Sequence, residues 1–310
     1  MMVATVTAAL FLGQLATPTT IQTPAGVFPT ACVHQMPDGA AASGSTATLN
    51  GKVVATFEDC SLPHPQHHFD SASDGGTAGW AENTYFSESS PNYVGIFSEL
   101  TVPDLPPSGS PCTYFFNAMQ APSPSGGDDI IQPLLSYNCG WQGDSSAWVI
   151  VSFYLGWLNH ASNWGVYYTT PVKVNPGDLI YMEIAPSSQY SPDEGYYVID
   201  YDDTTGGDAS GGFNAIHNPQ YYPWDQAFPA VLELPSGIST CSQLPPNNMD
   251  IFAGNAVYDQ CGTWPSFCWI LGGSWGTTVY GLTPSCGYQP LVGYVGSSGT
   301  NENSVLGWAQ

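Results

Sequence analysis

The chain has 310 residues, of which 25 are acidic and only two, Lys52 and Lys173, are basic, for a formal net charge of −23. This balance excludes ordinary nucleic-acid binding, which needs cationic side chains to replace phosphate counterions, and it excludes docking on anionic membranes. Hydrophobic residues at 43% and aromatic residues at 13% are abundant enough to build a packed core despite the charge.

With two cations, few carboxylates can find an ion pair. Mutual repulsion then raises carboxylate pKa values in the folded chain, and the fold is expected to be more stable near pH 4 than at pH 7. The eight cysteines are Cys32, Cys60, Cys112, Cys139, Cys241, Cys261, Cys268 and Cys286. Their even number and the absence of a CxxC pair point to disulfides and an oxidising compartment. The four between 241 and 286 are expected to pair among themselves.

Residues 1–16, MMVATVTAALFLGQLA, resemble the apolar region of a signal peptide, although no Lys or Arg precedes it; a buried first strand is the alternative. No later apolar run is long enough to span a membrane. Residues 17–77 are rich in Thr, Pro, Ala, Gly and Ser, with strand-like pieces at 31–35 and 53–58, and are expected to form an N-terminal extension or pro-segment. Cys32 and Cys60 favour a retained, disulfide-tied extension. His64, His67 and His68 lie in LPHPQHHFD, where Pro63 and Pro65 make a loop. A solvated loop accounts for them, and no metal site is expected.

From Trp80 to Leu282 short strand candidates alternate with Gly/Pro turn clusters: 93–102, 113–119, 130–137, 147–155, 164–170, 179–185, 195–202, 227–234, 249–258 and 276–282. This pattern predicts an all-β sandwich or barrel. In strands 147–155 and 164–170 rings occur on both faces; one face is expected to be core, and the other is open to two readings, a sugar- or peptide-binding platform or an aromatic core with ordinary surface tyrosines, the latter being the larger share for any single residue. Asp200, Asp202 and Asp203 lack the glycine and closing glutamate of an EF-hand loop, so no calcium site is expected. There is no phosphate loop and no HExxH. Residues 283–310 are Gly/Ser-rich, with strand-like pieces at 291–295 and 306–308.

Two strands carry polar residues among aliphatic ones. In DDIIQPLLSY (128–137), Gln132 shares a face with Ile130 and Leu134. An amide there needs a partner or a job, and a hydrogen bond to backbone is the simpler of the two. In AFPAVLELP (227–235), Glu233 shares a face with Val231. A carboxylate in an apolar run acquires the raised pKa that a general acid or base needs; a strand-end Glu facing solvent is the alternative.

Together these stretches resemble the eqolisin family of glutamic peptidases. Ile130-Ile131-Gln132 is similar to the family's glutamine strand, and Ala230-Val231-Leu232-Glu233 to the end of its glutamate strand. Gly79-Trp80, the strand Tyr93 to Pro103, Ala147-Trp148 and the turn Asn175-Pro176-Gly177-Asp178 follow in family order, so the likeness covers roughly residues 78–255. The resemblance implies a concanavalin A-like β-sandwich of two bent antiparallel sheets over 78–258, with a C-terminal disulfide-rich extension, 259–310, packed on it. It implies a secreted, acid-acting endopeptidase on polypeptide substrates, with no cofactor. Glu233 would serve as base toward water and then as acid toward the leaving nitrogen, and Gln132 would hold the water and the oxyanion. Tyr114, or Phe115, stands where the family has a tryptophan. Tyr114 and Trp148 are the expected substrate contacts. Ile150 and Ser146 replace acidic residues of the family, which leaves a second reading: a non-catalytic, lectin-like or structural binding module with a degenerate site and a glycan as the alternative partner. A glycoside hydrolase would need a second inward carboxylate, for which Glu183 is the candidate.

Overall fold

A computed structural model describes residues 20–23, 26–43, 45–58, 60, 79–88, 93–122, 128–141, 143–159, 162–186, 196–203, 210–216, 224–260, 267–269, 273–294 and 302–310. Residues 1–16, the His64–His68 loop and Cys261 lie outside them.

The first strands are β1 (Thr20–Thr23), β2 (Gly26–Pro29), β3 (Val33–Met36), β4 (Ala41–Ser43), β5 (Thr46–Leu49) and β6 (Lys52–Thr56). The middle of the chain supplies β7 (Trp80–Ser87), β8 (Tyr93–Thr101), β9 (Thr113–Pro122), β10 (Asp128–Tyr137), β11 (Trp148–Asn159), β12 (Ser162–Thr169) and β13 (Val172–Val174). There follow β14 (Leu179–Pro186), β15 (Tyr196–Asp203), β16 (Ser210–Ile216), β17 (Gln226–Glu233), β18 (Met249–Gln260), β19 (Phe267–Trp269), β20 (Ser274–Val279), β21 (Leu291–Tyr294) and β22 (Glu302–Gly307). Among the described residues no α-helix occurs.

Two large sheets result. The first runs β20-β7-β17-β9-β10-β11-β12-β3, with β13 also on β11. The second runs β21-β22-β18-β8-β14-β15-β16-β4-β5-β6, with β19 also on β18. They pack face to face as a β-sandwich. Leu100, Ile180, Met182 and Phe252 of the second sheet meet Phe115, Leu135, Trp148, Ile150 and Leu232 of the first. Strand β14 shows the period of two that this packing requires: Ile180, Met182 and Ile184 are buried, while Tyr181 and Glu183 between them are partly exposed.

The N-terminal segment is woven into both sheets. Strand β3 pairs in parallel with β12 and β4 in parallel with β16, so both sheets are mixed where this segment joins them, although only antiparallel pairing was expected. Removing this segment would strip strands from both layers. The C-terminal segment is divided similarly, β20 joining the first sheet and β21 and β22 the second.

The outer face of the first sheet is also covered. Tyr114, Phe116, Ile130, Leu134, Val151, Phe153, Phe228 and Val231 point that way and pack with Phe28, Cys32, Cys60, Trp141 and the Cys112–Cys139 pair. The reading of one core face and one exposed aromatic platform therefore does not hold here. Strands β9, β10 and β11 are buried on both faces, and this is why they read as continuous apolar and aromatic runs. Disulfides link Cys32–Cys60, Cys112–Cys139 and Cys241–Cys286. The first two hold the cover in place, and the third ties the C-terminal segment down.

Candidate functional site around Glu233

The faces are those the alternation predicts. Gln132 lies between Ile130 and Leu134 on the outer face of the first sheet, and Glu233 shares that face with Val231 and Trp80. Both Gln132 and Glu233 are fully buried.

Register separates them. On β17 and β9, Val231 pairs with Phe116 and Glu233 with Tyr114. On β9 and β10, Leu134 pairs with Phe116 and Ser136 with Tyr114. The row through Glu233 is therefore Glu233, Tyr114, Ser136, and Gln132 stands four positions farther along β10. Two strand spacings across and four residues along place the two Cα atoms about 16 Å apart for a rise of ~3.3 Å and a spacing of ~4.8 Å. Side chains standing on one sheet at that distance do not share a single water, so this structure does not bring Gln132 and Glu233 together.

Glu233 has other neighbours. Burial pushes its pKa well above the ordinary carboxylate range, the nearby Trp80 indole only partly offsets this, and neither carboxyl oxygen has a hydrogen-bond partner of good geometry among the described residues. Tyr114 is raised in turn by burial and by the charge of Glu233, while its hydroxyl interacts with Trp141 and Ser136. The Ser136 hydroxyl donates to Asp144 Oδ2 at 3.3 Å, and the Cys139 N–H donates to the same oxygen at 2.6 Å. Burial raises Asp144 as well, against the pull of these bonds. The result is a chain of polar groups, Tyr114–Ser136–Asp144, running from the side of Glu233 to the loop after β10. Chemically, burial there favours the protonated form of both carboxyl groups. Neither Ser136 nor Asp144 stands out in the sequence, because Ser136 closes a strand and Asp144, next to Gly143, has the composition of a turn.

Gln132 is likewise unsatisfied: neither amide atom has a hydrogen-bond partner among the described residues. An unsatisfied buried amide costs about 1–3 kcal/mol. Replacing it by the similarly shaped Met should therefore stabilise the fold. Gln132→Met is expected to raise the thermal midpoint by about 1.5–5 °C, at roughly 1.5 °C per kcal/mol for an unfolding entropy of about 2.1 cal/mol/K per residue. A lower midpoint would mean the amide is satisfied in solution.

The remaining expected site residues fall elsewhere. Tyr114 adjoins Glu233 but is fully buried, with no surface to offer a substrate. Trp148 is on the opposite side of the sheet, in the core between the layers against Phe115 and Tyr137, with its indole N–H bonded to Pro103 O at 2.9 Å. It is a packing residue because the β11 alternation turns it inward. Glu183, the expected second inward carboxylate, faces outward from β14. No G-x-S-x-G nucleophile elbow was expected from the sequence, yet residues 272–276 do match the letters of that pattern. Ser274, however, opens strand β20, which pairs antiparallel with β7 and is not a strand-to-helix turn. No group of three or more potential metal ligands occurs among the described residues.

No family model matches the chain, and no curated protein matches it. Among solved structures it is similar to scytalido-glutamic peptidase with a peptide-based transition-state analogue, at 9% identity and a TM-score of 0.43, covering 74% of this chain and 98% of that one. It is likewise similar to SCP-B, a member of the eqolisin family of peptidases in complex with the tripeptide Ala-Ile-His, at 9% identity and a TM-score of 0.42 over the same shares of the two chains.

Proposed function

We propose that the chain is a secreted, polypeptide-binding β-sandwich that carries the acid of a glutamic-peptidase-like site, Glu233, without the glutamine beside it. The observation that supports this reading is the register: the row of Glu233 holds Tyr114 and Ser136, and Gln132 lies four positions away. Burial of both residues supports it further, since a substrate must reach the groups that act on it. Three disulfides favour an oxidising, extracellular setting. A polypeptide is the proposed partner, because the order of the sequence motifs is that of a peptidase family; a glycan is the alternative.

A second reading is an acid-acting endopeptidase in which Gln132 and Glu233 act on one water. The raised pKa of Glu233 favours it, since a carboxyl group that holds its proton more firmly than an ordinary glutamate can deliver it to a leaving nitrogen at acidic pH. It requires β10 to slide by four residues against β9.

Digestion of a denatured protein substrate at pH 2.5–5 separates the two. Wild type, Glu233→Gln and Gln132→Ala are compared with pepstatin present, to remove contaminating aspartic peptidases. No cleavage by folded, disulfide-intact wild type is expected. Cleavage that resists pepstatin and is lost in both variants would establish the endopeptidase and overturn the first reading.

A further inference from the structure

Beside Trp80 the first sheet opens into a cleft of about 230 Å³, lined by Asn83, Tyr85, Asp225, Gln226, Phe228 and Tyr280 among others. Pockets for whole small molecules run to roughly 300–1,000 Å³, so this one is sized for a single long side chain.

The cleft is built by the strands around it. Asn83 stands on β7 opposite Val231 of β17 and Thr278 of β20. Its side-chain amide donates to the Tyr280 hydroxyl at 2.8 Å. That bond fixes the amide and leaves the carbonyl oxygen, Oδ1, buried without a hydrogen-bond partner among the described residues. Tyr85 pairs with Gly276, and a Cβ at that glycine would run into the tyrosine ring. The glycine is what lets the ring lie against β20 as one wall. Phe228 and Tyr280 form further walls and meet the Trp80 ring edge-on, at 4.9 and 6.1 Å between centroids. Trp80, whose indole reaches Glu233, therefore stands between the cleft and the buried acid.

The chemistry of the lining selects its ligand. It offers an unsatisfied amide oxygen, a carboxylate at Asp225 and aromatic faces. Neither Lys52 nor Lys173 is among the lining residues, and the net charge of −23 draws cations toward the surface. A fitting ligand brings hydrogen-bond donors, a positive charge and an apolar stem that packs on rings, where cations over aromatic faces gain further attraction. We propose that this cleft binds the basic side chain, lysine or arginine, of a polypeptide partner. The polypeptide part rests on the function proposed above; the cationic specificity of the cleft does not.

Titration calorimetry of the full, disulfide-intact chain at low salt tests this with agmatine, which is arginine without its carboxylate and keeps the guanidinium on its apolar stem. Saturable binding is expected. It should weaken at least tenfold in Asp225→Asn, which keeps the shape, and in Asn83→Leu, which removes the acceptor. Nα-acetyl-citrulline amide, the neutral isostere of Nα-acetyl-arginine amide, should not bind. Absence of saturable agmatine binding, equal binding of the neutral isostere, or binding indifferent to both substitutions overturns the proposal, as does binding of hexoses in place of agmatine. Arginine-containing peptides that fail to bind where agmatine succeeds would remove the polypeptide reading and leave the cleft's specificity standing.

Discussion

The thermal midpoint of the protein should fall steadily as the pH rises from 4 to 8, the reverse of ordinary acid denaturation. Among the described residues five carboxyl groups, Asp38, Glu82, Asp144, Glu233 and Asp250, are raised in pKa, in each case chiefly by burial. Glu82 goes from 4.5 to about 8, with backbone groups of Gly307 and Gln289 only partly offsetting the loss of water. A carboxyl group raised in this way folds readily when protonated. In the unfolded chain it ionises near pH 4.5, so its contribution is complete below that pH and is lost as the pH climbs through the folded value. The window for Glu82 is thus about 4.5 to about 8. At about 1.4 kcal/mol per pKa unit, the rise is on the order of several kcal/mol for this group alone. Neighbouring Tyr288, pushed up to about 12 by burial and by Glu82, stays neutral throughout. Glu82→Gln should raise the midpoint at pH 8 and leave it nearly unchanged at pH 4. A wild-type midpoint that climbs between pH 4 and 8, or a Glu82→Gln variant identical to wild type at pH 8, would sink the argument.

The composition alone led to the same sign by a different route, mutual repulsion among many acids and few bases. The two causes respond differently to salt. Repulsion between surface charges is screened over about 3 Å at 1 M, whereas the cost of taking a carboxylate out of water is not. The slope should therefore survive in 1 M NaCl if the buried groups carry it.

Much of the fold was legible because it depends on local pattern. The strands read at 130–137, 179–185 and 227–234 correspond to β10 at Asp128–Tyr137, β14 at Leu179–Pro186 and β17 at Gln226–Glu233. The faces of Gln132 and Glu233 follow from alternation, a property of each strand by itself. Their separation is not such a property. In an antiparallel hairpin the paired positions are set by where the chain turns, and the β9–β10 turn falls between Pro122 and Asp128. To bring Gln132 level with Tyr114, the centre of that turn would have to move by two residues. Motif order is preserved under such a shift, so it carries no information about which residues meet. The parallel pairings of β3 and β4 were illegible for a similar reason: nothing in Val33–Met36 or Ala41–Ser43 specifies a partner more than a hundred residues away.

Trp148 tests the difference between a motif residue and a site residue. If it were a substrate contact, Trp148→Ala would cost binding and little stability. Its surroundings require the opposite. The side chain is fully buried between the two sheets, 5.8 Å from Phe115 and 5.5 Å from Tyr137 by ring centroids. Truncating a buried aromatic residue to alanine costs about 3–5 kcal/mol, and the Pro103 carbonyl would also lose the indole donor at 2.9 Å. Trp148→Phe keeps most of the volume and loses the donor, so it should cost less, about 1–3 kcal/mol. Denaturant unfolding should rank wild type above Trp148→Phe and Trp148→Ala last, while agmatine affinity per folded molecule stays the same in all three, because the ring and the cleft lie on opposite faces of the first sheet. Weakened agmatine binding in a Trp148→Phe variant of near wild-type stability would return the residue to the site. Unchanged binding with a large loss of stability would leave the tryptophan after Ala147 as a core residue. Its place in a peptidase-like motif would then reflect how the two sheets pack.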